Sequence, residues 1–66
     1  MEKRKIKIAA VRVNAGLSQE ELAEKMNVSR SSIVNWENGK TSISSASLFQ
    51  LAEICNWPAD QIFLPK

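Results

Sequence analysis

The amino-acid sequence predicts an all-α domain, on three grounds. Between Ser18 and Asn38 the apolar residues recur at helical spacing: Leu22 and Met26 lie four apart, Ile33 and Trp36 three apart, and Val28 falls in the break between them. Residues that start and stop helices punctuate the same stretch, with Ser18 and Ser29 at the starts and Asn27 and Gly39 at the ends. Finally, the 66 residues include one cysteine and no histidine, which excludes an internal disulfide and leaves no zinc ligand set. A chain this short then reaches a core most readily as a helical bundle with local contacts, supported by self-association.

The elements follow in order. A first helix is expected from about Arg4 to Ala15, with Gly16 as a left-handed cap. Ile8, Val11 and Ala15 form one apolar stripe. Ile6, Ala10 and Val13 form a second on the nearly opposite face, so this helix is apolar on two sides. Ile62, Phe63 and Leu64 are candidates to cover the second stripe; uncovered, it is a candidate dimer surface. The next helix begins at about Gln19, because Ser18 and Glu21 have the spacing of a capping box, in which hydroxyl and carboxylate each take a backbone N–H at the helix start. Asn27 supplies the left-handed turn, Ser29 caps the third helix, and Gly39 closes it. Ala23, a small residue, sits where two closely joined helices must cross. A fourth helix starts near Ser45, turns Leu48, Leu51, Ala52 and Cys55 inward and stops at Asn56. Trp57 precedes Pro58 and is extended, and a last short helix is expected from about Ala59 to Phe63.

Charge is uneven along the chain. The formal net charge is +2, but Lys3, Arg4, Lys5, Lys7 and Arg12 crowd one end, while Glu20, Glu21 and Glu24 make the middle acidic. We read residues 1–66 as one domain, with residues 1–5 as a basic arm suited to phosphate or simply solvated. On the third helix Ser31, Asn35 and Asn38 point away from Ile33, with Arg30 and Val34 on the flank. Such a face can donate, accept and touch methyl groups, as the base edges of a DNA major groove require. Arg12 lies on the core-facing side of its helix, where an unpaired guanidinium is costly, so it needs an acceptor.

The stretch QEELAEKMNVSRSSIVNWENGK resembles the helix-turn-helix of the Cro and lambda-repressor class of DNA-binding regulators. The resemblance runs from about Ile6 to Phe63. It is carried by Arg12 ahead of Gly16, Leu17, Ser18 and Gln19, by Leu22 with Ala23, by Val28 with Ser29, and by Glu37, Asn38, Gly39 and Lys40. Asn27 departs from it, standing where the family usually has glycine. The resemblance implies a compact five-helix domain with the motif at helices two and three, acting as a homodimer. It pairs Glu37 with Arg12, as a structural salt bridge or as one that also leaves guanidinium N–H groups near a phosphate. It gives Gln19 a contact with the DNA backbone and assigns the loop of Lys40, Thr41 and Ser42 to the same backbone. Geometry and precedent together make Arg30, Ser31, Val34 and Asn35 the candidate base readers, with Ser29, Asn38 and Lys5 added to the backbone set.

The partner implied is double-stranded DNA with an approximately palindromic site, and the role that of a repressor. The alternative is the antitoxin of a toxin and antitoxin pair, which binds DNA and a partner protein. A third reading, a protein-interaction module without DNA binding, predicts an apolar patch on the outer face of the third helix. No catalytic constellation or glycine-rich phosphate loop is present, and no cofactor or metal is expected. Cys55, Trp36 and Trp57 are read as core residues. No signal peptide or membrane span is visible, so a cytoplasmic protein is expected.

Overall fold

The computed structural model describes residues 5–64. Strand β1 (Ile6–Lys7) leads into helix α1 (Ile8–Asn14), followed by α2 (Gln19–Met26), α3 (Arg30–Asn38) and α4 (Ser45–Cys55). A single 3-10 turn (Ala59–Gln61) then delivers strand β2 (Ile62–Phe63). β2 pairs in parallel with β1, Ile6 opposite Ile62 and Lys7 opposite Phe63.

All four helices end in the same way. A residue in the left-handed region follows each helix: Gly16 (φ 77°), Asn27 (φ 59°), Gly39 (φ 75°) and Asn56 (φ 54°). The next N–H then turns back to a carbonyl five residues earlier, from Leu17 to Arg12 (3.1 Å), Val28 to Ala23 (3.0 Å), Lys40 to Asn35 (2.9 Å) and Trp57 to Ala52 (3.0 Å). This closure satisfies carbonyls that the helix leaves free. At the starts, Ser18, Ser29 and Ser44 each accept from the backbone N–H three residues on. Ser18 and Glu21 complete the reciprocal capping box. These short-range devices make helices of seven to eleven residues definite in length, although none would persist alone in water.

The core lies between the four helices. Ile8 and Val11 enter from α1, Leu22, Ala23 and Met26 from α2, Ile33 from α3, and Leu51, Ala52 and Cys55 from α4. Ile62 of β2 closes it from the end. Ile8, Val11, Leu22, Ile33 and Leu51 are essentially inaccessible to solvent, each such side chain contributing about 1.5 to 3 kcal/mol relative to exposure. Trp36, Trp57, Leu48 and Val28 pack against this cluster while keeping one side wet.

Several expectations are corrected. The fold is mostly helical rather than purely α, and among the described residues it has four α-helices and one 3-10 turn, so the five-helix count is not confirmed. The first helix begins at Ile8, since residues 6 and 7 are extended and paired with β2; the expected start at Arg4 lies outside the described residues. At the other end, Pro58 and the need to carry Ile62 into the core leave room for only one turn before the chain extends. The second stripe on α1 does not form as expected, because Ile6 belongs to the strand pair. Ile62 is buried, but Phe63, Leu64 and Val13 stay exposed, Val13 at 62%.

Candidate nucleic-acid interface

The turn from Asn27 to Ser29 sets α3 across α2, and Ala23 is buried, its small side chain letting the helices approach. Ile33 anchors α3 inward, fully buried, with Trp36 and Glu37 half-buried beside it. Periodicity then turns Arg30, Ser31 and Asn38 to solvent, with Val34 and Asn35 half-buried along the same outer side. The exposed loop residues Lys40, Thr41 and Ser42 continue from the end of α3. The motif thus brings nine of the ten expected contact residues outside α2 to α3, its cap and the loop after it, and Lys5 alone stands apart, exposed ahead of β1. The large exposed apolar side chains are elsewhere: Val13 on α1, Phe49 on α4, and Phe63 and Leu64 at the C-terminal strand.

Beneath this surface runs a chain of polar contacts. Arg12 Nε donates to Glu37 Oε2 at 2.7 Å, and its Nη1 donates to the Leu17 carbonyl at 2.9 Å. The pair is mostly shielded, with the two side chains 14% and 8% exposed. Glu37 Oε1 accepts from Gln19 Nε2 at 3.0 Å, and Gln19 Oε1 accepts from Arg30 Nη2 at 3.1 Å. Sequence reasoning anticipated the Arg12–Glu37 bond and missed the other three.

One of the candidate groups is also committed to holding the backbone. Ser29 Oγ accepts from Ser32 N at 3.2 Å and bonds its hydroxyl at 3.1 Å, so it is a cap before it is a contact. Asn35 lends its carbonyl to Lys40 N while its side chain remains on the outer side. Glu21 is held below the ordinary carboxylate range by the Ser18 N–H and then by its hydroxyl. The Cys55 thiol is pushed up by burial, against a smaller pull from Arg12. The acidic side chains Glu20, Glu21 and Glu24 border a groove on the flank of α2 that Arg30 overlooks. The three carboxylates disfavour phosphate on this flank of α2. Among the described residues no cluster of ligating side chains fits a metal, and no helix is long and apolar enough to cross a membrane.

A short helix held across its neighbour, polar side out and followed by a polar loop, defines a helix-turn-helix DNA-binding domain. A helix-turn-helix family model matches residues 8–62, and the chain belongs to that family, of the Cro and lambda-repressor-like kind. Among solved structures it is similar to a hypothetical transcription factor, NHTF, from Neisseria, with 31% identity and a TM-score of 0.77. That alignment covers 88% of this chain and 65% of the Neisseria chain, so this chain spans just under two thirds of that protein's length. Comparison with curated proteins returns no match.

Proposed function

We propose that this protein is a transcriptional regulator, a repressor, that binds double-stranded DNA sequence-specifically as a homodimer, with α3 in the major groove. The observation that carries the reading is the outer side of α3, polar and accessible, on a helix braced from beneath by the Arg12–Glu37 pair. Arg30, Ser31, Val34 and Asn35 read base edges: arginine suits guanine, asparagine adenine, serine either edge, and valine a thymine methyl. Gln19, Ser29, Asn38, Lys40, Thr41, Ser42 and Lys5 contact the sugar-phosphate backbone and set register. Residues 1–66 act as one domain with the first five as a basic arm. Two copies place their reading helices in successive major grooves about 34 Å apart, on an approximately palindromic site. Selection of bound duplexes from a random pool, followed by footprinting of the winner, tests this. Two protected half-sites one helical turn apart support it, and recovery of unenriched sequences contradicts it.

A second reading keeps the DNA contact and adds a protein partner, as in an antitoxin. Exposed Val13 (62%) and Phe49 (64%) favour it, since large apolar side chains at such exposure suit a protein surface. A toxin reading frame beside this gene would support that reading, and co-purification of the two products would test it.

A further inference from the structure

A groove opens between α4 and the 3-10 turn. Phe49, 64% exposed, forms one wall, and Trp57, Pro58 and Ala59 form the other. Trp57 is fixed there by its Nε1, which donates to the Gln61 carbonyl at 3.3 Å. Glu53 and Asp60 stand among these apolar side chains, both exposed. The ion pair formed by the described residues is Arg12 with Glu37, and no cation among them pairs with either groove carboxylate. An occupant of this groove must therefore combine an apolar side chain with positive charge.

A second copy of the folded domain does not meet that need. A two-fold contact pairs one patch with itself, and this patch carries two carboxylates and no cation, so like charges would meet. The chain's own first residues do meet it. Residues 1–4 lie outside the described residues; Met1 is a flexible apolar side chain suited to aromatic walls, and Lys3 and Arg4 outweigh Glu2. Because β1 and β2 run parallel with Ile6 opposite Ile62, Lys5 sits at the same end of the sheet as the turn Ala59–Gln61, part of the groove's wall. A segment of this length spans about 13 Å when extended. Tethering makes even a weak match sufficient, since a short linker holds its segment at millimolar effective concentration.

We infer that residues 1–4 occupy this groove on their own chain, Met1 against Phe49 and Trp57, Lys3 and Arg4 against Glu53 and Asp60. The inference stands apart from the DNA reading. Its consequence there is that the arm's cations are already paired in the free protein, so phosphate must compete for them.

The test is nuclear magnetic resonance of the isotope-labelled whole chain without DNA. Cross-peaks from the Met1 methyl to the rings of Phe49 and Trp57 are expected, and Glu53→Gln with Asp60→Asn should abolish them. Lys3→Glu with Arg4→Glu should abolish them too and move the Trp57 and Ala59 amide signals, while those of the buried Leu22 and Leu51 stay in place. If either variant does not unfold cooperatively, the unmodified chain in molar salt gives the same readout, because charge pairing is screened there and the cross-peaks should weaken. Absence of the cross-peaks from the unmodified chain would overturn the inference. So would their survival through both charge changes, or their appearance only at high protein concentration, which would assign the groove to the arm of a second copy.

Discussion

Arg12 and Glu37, 25 residues apart in the chain, meet at 2.7 Å and join the first helix to the far half of the reading helix. Removing either partner strands the other in a mostly shielded site, and loss of Glu37 also deprives Gln19 of its acceptor. Arg12→Met or Glu37→Gln alone is expected to cost about 3 kcal/mol in chemical unfolding. The double change Arg12→Met with Glu37→Leu should recover much of that loss, because no lone charge is left behind. Equal or larger damage in the double variant would show that the pair adds net stability as well as orientation.

The left-handed closure at Asn27 gives a second prediction. Its φ of 59° is one that asparagine tolerates and alanine does not. Asn27→Ala should destabilise by about 1 kcal/mol, while Asn27→Gly should be neutral or slightly stabilising. Thermal melts of the three proteins decide it, and a stable alanine variant would mean that the turn can relax into another form.

Most of this architecture was legible because its determinants are local. Ser18 with Glu21, then Asn27, Gly39 and Asn56, mark boundaries through contacts three to five residues long, and the structure places helix ends at those residues. The strand pair was not legible in the same way. Lys5, Ile6, Lys7 and Ile8 do alternate polar and apolar, the period of a strand, but Ile8 also opens a helical stripe and its helix won the reading. Ile62 and Phe63 are too few to show any period, and their partner lies at the opposite end of the sequence. Within the site, outward residues of α3 followed from angle alone. The Gln19 bridge did not, since it depends on where three long side chains end.

Acid should act through the second helix's cap. The Glu21 carboxyl is held low by the Ser18 N–H, so the folded form binds its proton less readily than the unfolded chain does. Its contribution is therefore present above the unfolded carboxyl range and lost as pH falls through the lowered folded value. Melting temperatures from neutral pH down to about pH 3 should fall more steeply for the unmodified chain than for Glu21→Gln. Parallel curves would show that the cap does not couple to folding.

Cys55 should titrate in the opposite sense. Burial raises its thiol, so stability from this group is complete below the ordinary thiol range and declines as pH rises through the raised folded value. Alkylation in mildly alkaline buffer should be slow in the native protein and rapid once denaturant is added. Labelling at the same rate in both states would place the thiol at the surface.

Electrostatics and base reading should separate on DNA. Lys40→Ala is expected to weaken preferred and random duplexes alike and to reduce the salt slope by about 1. A loss confined to the preferred duplex would instead make Lys40 a reader of sequence.

The most direct test is to compare Asn35→Ala with the unmodified protein on the selected duplex and on random DNA at one salt concentration. Loss of about 1 to 3 kcal/mol on the selected duplex, with random binding unchanged, is the predicted result. Equal affinity of both proteins for the selected duplex would contradict base reading by the outer side of α3.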